Sequence, residues 1–249
     1  MIVLRSDEEI SAIRKAGRIV ASAIEKLKRS AKEGVTTKEL DAIAREEILK
    51  TGGYPAFKDY KGYPGNICAS LNEAVVHGIP SERRLRSGDI LSLDVGVKLR
   101  DYFADAAVTV AIGRISDQAK RLIDVTRGAL DAGIAAAQQG RRLSDISHAI
   151  QEYAESNKFS VVRLFVGHGI GMSIHEEPEV PNFGIPDRGP RLESGMVLAI
   201  EPMVNAGTHE IEILDDGWTA VTKDRKLSAH FEHTIAIRPG GAEILTEIL

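Results

Sequence analysis

Apolar and polar residues alternate along this chain with two different spacings, and the order of the spacings occurs twice. Apolar positions recur every three or four residues over residues 6–30 and 36–51, and a capping box opens each segment, which predicts two amphipathic helices. Two further helices are predicted in the second half, one opened by Ser116 and one capped by Ser144. Each helix pair is followed by strand-like segments, which predicts an α+β fold.

Strands are predicted where apolar and polar residues alternate in steps of two. The clearest case is a hairpin with strands over residues 91–98 and 104–110, which folds back about Leu99 and Arg100. Gly167–Gly171 is predicted to be a loop because it is rich in glycine. The later strands are predicted over residues 161–166, 197–202 and 229–237, with a hairpin about the turn at residues 215–217.

The hairpin places two acids on one face. With the predicted turn, Asp94 stands directly opposite Asp105, and their Cβ atoms lie about 5 Å apart. Two such carboxylates repel by roughly 3 kcal/mol at an effective dielectric constant near 20. A protein answers this repulsion by raising one pKa or by binding a cation. On its own, the pair also fits an exposed hairpin with two surface acids.

An internal repeat adds two more acids. Residues 84–94 align with residues 191–201, which places Glu201 in the slot of Asp94. Glu232 likewise corresponds to Asp105 in the later strand. We therefore expect a single domain over 1–249, with halves of roughly 1–113 and 114–249 that bring four acids to one shared face.

Composition excludes several classes of protein. The chain has 32 basic and 36 acidic residues among 249, so no basic footprint for nucleic acid exists. No apolar run is long enough to span a membrane, and the acidic start does not fit a signal peptide. The single cysteine, Cys68, excludes an internal disulfide and fits a reducing compartment. We expect a soluble, cytoplasmic protein, and the pattern fits a monomer.

Four carboxylates with one imidazole are typical of a site for two hard or borderline divalent cations. His168, flanked by glycines that permit close backbone approach, is the best imidazole candidate. His77, beside Gly78, reads by itself as a structural histidine. The predicted metal ligands are Asp94, Asp105, His168, Glu201 and Glu232.

Six motifs together resemble the type I methionine aminopeptidases of the pita-bread metallopeptidase superfamily. The resemblance covers essentially the whole chain and implies a curved antiparallel sheet, built from two pseudo-twofold-related halves, with helices on its outer face. The motifs are Val76–Pro80, Leu93–Gly96, Asp105, Gly167–Gly171 with His175–Pro178, Ile200–Pro202 and Phe231–Thr234.

The resemblance implies a dinuclear metal site and an activity. Asp105 and Glu232 would bridge both ions, Asp94 would bind one, and His168 with Glu201 would complete the other. The ions could be Co, Mn, Fe or Zn, because availability decides among them. The implied reaction is hydrolysis after an N-terminal methionine when the next residue is small. Nascent polypeptide N-termini would be the substrates, near the ribosome, although no feature of the sequence encodes ribosome docking.

The resemblance also implies roles around the metal site. Glu201 would shuttle a proton from the attacking water, His175 would stabilise the oxyanion, and His77 would contact the peptide on the leaving side. Phe57 and Ile174 depart from the residues common in relatives, which leaves side-chain preference open. The predicted substrate-binding residues are His77, Tyr60, Tyr63, Cys68, Trp218, Phe57 and His175.

Two other functions fit parts of the sequence. A prolidase or proline aminopeptidase shares the fold, but it normally carries an additional N-terminal domain. A non-enzymatic binding protein of the same fold should have lost metal ligands, and no ligand position is broken in this chain. A serine or cysteine hydrolase and a zincin are disfavoured, because neither a nucleophile elbow nor a His-Glu-x-x-His motif occurs.

Overall fold

The computed structural model of the chain describes residues 1–247. Helices and strands alternate as the sequence pattern predicts. The helices are α1 (Asp7–Ser30), α2 (Thr37–Lys50), α3 (Asp117–Ala136) and α4 (Leu143–Ser156). The strands are β1 (Tyr54–Pro55), β2 (Cys68–Leu71), β3 (Ala74–Val76), β4 (Ile90–Leu99), β5 (Tyr102–Ala111), β6 (Ser160–Val161), β7 (Gly167–Gly169), β8 (Glu176–Val180), β9 (Val197–Ile200), β10 (Met203–Asn205), β11 (Ile211–Ile213), β12 (Ala220–Thr222), β13 (Ser228–His230), β14 (Glu232–Arg238) and β15 (Gly241–Ile244).

A nine-stranded antiparallel sheet forms the centre of the molecule. Its main order is β1-β4-β5-β14-β9-β7-β8, with β2 paired to β4 and β15 paired to β14. Two three-stranded sheets, β13-β10-β6 and β11-β12-β3, lie beside it. Among the described residues, no helix is long and apolar enough to cross a membrane.

The helices cover one face of the central sheet and leave the other face for polar side chains. Leu93 and Val95 on β4 are fully buried in a cluster that includes residues of α1. Because side chains alternate across a strand, Asp94 points to the opposite face. The same alternation on β5 buries Ala104 and Ala106 in that cluster and turns Asp105 away from it.

The repeated sequence segments occupy equivalent places in the two halves. Thr36, the N-cap of α2, forms a bridge with Arg84, and Arg142, at the N-cap position of α4, forms the matching bridge with Arg191. Arg84 Nη1 donates to the Gly34 carbonyl at 2.7 Å, and Arg191 Nη1 donates to the corresponding Gly140 carbonyl at 2.8 Å. These matched contacts follow the sequence alignment of residues 84–94 with 191–201.

The predicted register of the β4–β5 hairpin is wrong by two residues in its pairing. Leu99 pairs with Tyr102, so the turn residues are Arg100 and Asp101, and Arg100 adopts a positive φ of 56°. Asp94 therefore pairs with Ala107, while Asp105 pairs with Gly96. The two acids remain on one face but are diagonal neighbours, about 7–8 Å apart between Cα atoms rather than directly opposed.

The segment Gly167–Gly171 begins with a strand rather than the predicted loop, while its glycines permit the close backbone approach that the sequence predicts. The sequence predicts a loop for this segment, but its first three residues form strand β7 between β8 and β9. A Cβ on Gly167 would lie 2.4 Å from the Ala199 carbonyl oxygen, and one on Gly169 would lie 2.2 Å from that of Glu177. Because glycine has no Cβ, the backbones of Ala199 and Glu177 can approach β7 closely, which is one role of glycine within a strand.

Two predicted strands differ from those observed. The predicted strand over residues 161–166 is strand only at Ser160–Val161, and beyond it Leu164 is 65% exposed. The predicted strand over residues 229–237 breaks at Phe231 into β13 and β14, which belong to different sheets. Phe231 turns its buried ring into the cluster beneath α3, and this interrupts the alternation.

The predicted cap of α4 is also displaced. The helix begins at Leu143, so Arg142 is the N-cap residue, and its backbone N–H donates to Asp145 at 3.0 Å. Ser144 lies inside the first turn, where its hydroxyl accepts from the Arg188 N–H at 2.7 Å. The serine fastens a loop to the helix rather than beginning the helix.

Packing of the C-terminal segment on α1 predicts a matched pair of variants. A Cβ on Gly17 would lie 2.2 Å from the Leu245 backbone oxygen, whereas one on Gly128 in α3 would meet the side chain of Tyr153, which is 40% exposed. We expect Gly17→Ala to lower the melting temperature by about 2–8 °C, because backbone cannot yield as a side chain can. Gly128→Ala should leave it unchanged or raise it, because alanine favours helix. Equal melting temperatures of the two variants would contradict the proposed packing constraint.

Candidate active site

Five neighbouring strands each bring one predicted metal ligand to the open face of the sheet. In the order β4-β5-β14-β9-β7, every strand contributes one side chain. The paired positions agree with this, because Glu232 pairs with Ala107 and His168 with Ala199. The predicted ligands are Asp94 on β4, Asp105 on β5, Glu232 at the start of β14, Glu201 one residue after β9 and His168 on β7.

The ligand atoms lie close enough to share bound ions. His168 Nε2 is 3.5 Å from Asp105 Oδ2 and 3.4 Å from Glu201 Oε1. Asp105, His168 and Glu232 offer three ligand atoms that all lie within 4.8 Å of one another. The hydroxyl of Thr234 is 3.0 Å from Asp105 Oδ1 and accepts a hydrogen bond from the Asp105 N–H, so it fixes the rotamer of this acid.

Burial and mutual repulsion place the four carboxylates under strain. Burial raises the pKa of Asp94, Asp105, Glu201 and Glu232, and repulsion from neighbouring acids raises those of Asp94, Glu201 and Glu232 further. No lysine or arginine described in the structure lies within 4.0 Å of any of the four. Asp94 Oδ1 is also buried without a hydrogen-bond partner among residues 1–247.

All twelve predicted site residues line one cavity of about 240 Å³, together with Lys61. The acids and His168 form its floor. A larger groove of about 690 Å³ lies elsewhere, between α1 and α3, and contains none of the predicted site residues. The lining residues of the smaller cavity are Phe57, Tyr60, Lys61, Tyr63, Cys68, His77, Asp94, Asp105, His168, His175, Glu201, Trp218 and Glu232.

One wall of the cavity is formed by aromatic rings and a thiol. Tyr63 and Trp218 pack edge to face, with ring centroids 5.1 Å apart. The Tyr63 hydroxyl is 2.9 Å from the Gly78 carbonyl, so it turns away from the cavity and leaves the ring as the wall. Burial, with the charge of Asp94 adding to it, raises the pKa of Cys68 well above its usual value, so this thiol is neutral and packs as an apolar group.

His175 stands at the mouth of the cavity above His168, with ring centroids 4.4 Å apart. Tyr60 lies with its hydroxyl oxygen 2.9 Å from His175 Nδ1. When this hydroxyl donates, Nε2 carries the ring proton and can donate to a ligand in the cavity. Desolvation, with the neighbouring His168 adding to it, lowers the pKa of His175, so the ring is neutral at pH 7.

A buried ion pair holds the loop that carries His175. Arg5 Nη2 lies 2.6 Å from Glu176 Oε2. The other carboxylate oxygen accepts hydrogen bonds from the Met172 and Ser173 N–H groups at 2.7 and 2.9 Å. The N-terminal segment thereby fixes the backbone directly before His175.

His77 enters the cavity from the end of β3. It adopts a positive φ of 60°, which turns its ring toward Trp218 at a centroid distance of 6.3 Å. Its ring also packs edge to face on Phe165. Burial lowers the pKa of His77 to about 4, so the ring is neutral. His77 therefore lines the same cavity as the four acids.

Two residues near the site are not predicted by the sequence patterns. Lys61 lines the cavity with its ammonium 5.3 Å from the Tyr60 ring centroid. His230 Nε2 lies 3.6 Å from Glu201 Oε2. A sequence signal for His230 is present, because it stands two residues before Glu232 in a segment predicted as one strand, where both would face the same side.

Comparisons with known proteins agree with this geometry. Residues 11–239 match metallopeptidase family M24. The chain is 53% identical over 248 residues to methionine aminopeptidase 1 of Bacillus subtilis, covering 100% of both chains. The crystal structure of methionine aminopeptidase from Thermotoga maritima superposes with a TM-score of 0.98 at 44% identity, again over 100% of both chains. The chain belongs to metallopeptidase family M24.

Family membership confirms the expected kind of protein and the expected fold. The resemblance to the methionine aminopeptidases is confirmed, as is the prediction of an enzyme of the hydrolase class. A prolidase from Pyrococcus furiosus shares the fold at a TM-score of 0.80 with 22% identity, and the match covers 99% of this chain but 66% of that one. The pita-bread fold with its curved antiparallel sheet is therefore confirmed, while the boundary between the halves stays a prediction.

The side chains present fit the divalent metal that an M24 metallopeptidase uses. The donor set is four carboxylates and one imidazole, which suits hard and borderline divalent ions. The unpartnered Oδ1 of Asp94 and the repulsion among the acids both call for a cation. Cys68, the thiol of the cavity wall, is neutral and is not needed as a ligand.

The raised carboxylate pKa values predict how stability depends on pH without metal. The pKa is raised to about 8 in Asp94 and Glu201 and to about 7 in Asp105. In the unfolded chain these carboxyl groups have ordinary pKa values and are already ionised at pH 7. The folded chain therefore binds more protons than the unfolded chain, and its stability falls as pH rises toward the raised pKa values. We expect the melting temperature of chelator-treated protein to fall between pH 7 and 8.5. Added Mn²⁺ should remove most of this fall.

Asp105→Asn tests the source of this pH dependence. The variant removes one of the repelling charges, so its metal-free form should lose less stability between pH 7 and 8.5. It should also gain little from Mn²⁺, because a ligand is lost. The matched control is Asp187→Asn, since the side chain of Asp187 is 84% exposed. If Asp105→Asn shows the same pH slope and the same stabilisation by Mn²⁺ as the control, the electrostatic account is wrong.

Proposed function

We propose that this protein removes the N-terminal methionine from polypeptides whose second residue is small. The observation that supports this most is the position of the five-ligand cluster at the floor of an apolar cavity of about 240 Å³. Pockets for drug-sized ligands span about 300–1,000 Å³, so this cavity suits a single side chain. The relatives named methionine aminopeptidase, similar over the full length of the chain, support the same reaction.

The metal centre is proposed to hold two divalent ions. Asp105 and Glu232 occupy central strands β5 and β14, which suits bridging both ions. Asp94 would bind one ion from β4, and His168 with Glu201 would bind the other from β7 and β9. Bound divalent ions supply Lewis acidity and lower the pKa of a coordinated water.

The chain's own side chains divide the remaining work. The carboxylate of Glu201 accepts a proton from the attacking water and later returns it toward the leaving amine. His175 donates from Nε2 to the scissile carbonyl oxygen and stabilises the negative charge that develops there. His77, on the other side of the cavity, contacts the peptide beyond the scissile bond.

The cavity wall explains selection of methionine. Tyr63, Trp218 and the neutral thiol of Cys68 provide aromatic and sulfur surface, which suits a thioether. The ring of Phe57, which is 9% exposed, also lines the cavity and reduces the space within it. A small second residue is required in this proposal because His77 crowds the space beyond the scissile bond.

The proposed substrates are nascent polypeptides, encountered near the ribosome in the cytoplasm. The monomeric state is part of the same proposal. Which of Co, Mn, Fe and Zn the site binds is proposed to depend on which metal is available in the cell.

Peptide hydrolysis tests the proposed activity directly. Chelator-treated protein should release methionine from Met-Ala-Ser only after addition of Mn²⁺ or Co²⁺, and it should leave Ala-Pro-Ser intact. Met-Leu-Ser is the matched control for the second residue and should be cleaved at least about tenfold more slowly. Release of alanine from Ala-Pro-Ser in preference to methionine would establish a proline aminopeptidase instead. Binding of metal without any cleavage would favour the non-enzymatic alternative.

Variants of the Tyr60–His175 pair test the proposed oxyanion contact. His175→Ala should lower kcat by about 100- to 1,000-fold, because one donor to the oxyanion is lost. Tyr60→Phe should lower kcat by a smaller factor, because it removes only the hydroxyl that lies 2.9 Å from His175 Nδ1. Metal content, measured by elemental analysis, should stay that of the wild type in both variants. Loss of metal from His175→Ala would make His175 a ligand and contradict its proposed role as an oxyanion donor.

A further inference from the structure

His230 is a buried histidine to which the proposed reaction gives no role. The residue is 2% exposed. Its Nε2 has no hydrogen-bond partner within the part of the chain that the structure describes. Buried polar atoms are nearly always hydrogen-bonded in folded proteins, so an unpartnered imidazole nitrogen calls for an explanation.

Glu201 lies between two imidazoles, one at each carboxylate oxygen. His168 Nε2 is 3.4 Å from Oε1, and His230 Nε2 is 3.6 Å from Oε2. Across residues 1–247, Glu201 is the one acidic side chain within 4.0 Å of His230. The unpartnered nitrogen of His230 therefore lies beside Oε2 of Glu201, the carboxylate oxygen that is not next to His168.

Hydrogen bonds to Thr109 on β5 hold the backbone of His230 in place. Its N–H donates to Thr109 Oγ1 at 2.9 Å, and the same hydroxyl donates to the His230 carbonyl at 2.8 Å. Ser92 Oγ lies 2.8 Å from Thr109 Oγ1 and extends this network to β4. Both backbone groups are thus fixed on β5, and burial of the side chain restricts the rotamers by which the imidazole could turn away from Glu201.

We propose that His230 is a positioning residue for Glu201. Its Nε2–H donates a hydrogen bond to Oε2 of Glu201, which leaves Oε1 of Glu201 to bind metal. The inference rests on the metal centre of the proposed function. The present separation of 3.6 Å exceeds a hydrogen bond, and a carboxylate shift of less than about 1 Å closes it. Bound cations favour that shift because they remove the repulsion between Glu201 and the other acids. Hydrogen bonds of this kind orient ligating carboxylates and sustain metal affinity.

Two polar substitutions separate positioning from packing. In His230→Gln the amide nitrogen reaches the place of Nε2, whereas in His230→Asn the shorter amide cannot. The probe is Co²⁺, whose affinity is measured by calorimetry and whose visible absorption reports the ligand field. We expect His230→Asn to weaken Co²⁺ binding by about 10- to 100-fold, and His230→Gln to stay within about threefold of the wild type. The melting temperatures of the two metal-free variants should agree.

Turnover provides a second readout. With saturating Co²⁺ and Met-Ala-Ser, His230→Asn should lower kcat with KM nearly unchanged, because Glu201 handles the proton and does not hold the methionine side chain. His230→Gln should restore kcat. This rescue depends on the N–H donor alone, since both variants keep a polar amide at the same buried position.

Three results would overturn the inference. Equal Co²⁺ affinity in the wild type and His230→Asn would show that Glu201 needs no such support. Equal losses in both variants with a changed cobalt spectrum would make His230 a direct ligand. Equal losses with an unchanged spectrum would assign it a packing role. Because the affinity measurement needs no substrate, a wild type that binds Co²⁺ but releases no methionine would refute the proposed activity while the positioning is still decided.

Discussion

Repulsion among four buried carboxylates is the constraint on which this molecule is organised. Asp94, Asp105, Glu201 and Glu232 share one face of a sheet, and burial raises the pKa of each. A fold does not keep such a cluster for its own stability, because apolar residues of the same size would pack there at less cost. The cluster is compatible with the folded state when protons or divalent cations neutralise it, which ties the fold to the chemistry of a metallopeptidase.

The internal repeat explains how one sheet brings these acids together. Strands β5 and β14 meet at the centre, and each supplies a threonine to the other half. Thr234 accepts from the Asp105 N–H at 3.1 Å, and Thr109 accepts from the His230 N–H at 2.9 Å. A threonine hydroxyl therefore holds the backbone of Asp105 in the first half, and another holds that of His230 in the second half. The imidazole of His168, a proposed ligand, comes from the second half, so the two ends of the row of proposed ligands differ in chemistry.

Much of this arrangement can be predicted from the sequence, for identifiable reasons. Helices α1 and α2 begin with capping boxes and keep strict helical spacing, and the repeat places Glu201 and Glu232 by analogy with the first half. The predictions that are wrong depend on contacts distant in sequence or on an unusual turn. The hairpin register is one, because Arg100 adopts a positive φ of 56° in a turn without glycine or asparagine. Strand β7 is another, because its glycines by themselves predict a loop and its pairing with β8 and β9 leaves no local signal. His230 is not among the predicted site residues, although it stands two residues before Glu232, and the break at Phe231 places it in another sheet.

The distribution of the ligands over five strands also has a kinetic consequence. Asp94 and Glu232 belong to β4 and β14, which are far apart in the chain and meet only through β5. The complete set of proposed ligands therefore forms only when the sheet is nearly assembled, so the unfolded chain has no complete site for a cation. Bound metal should accordingly stabilise the folded state over the unfolded chain. In the cell, metal binding would then slow degradation of the protein, because proteases cleave the unfolded chain.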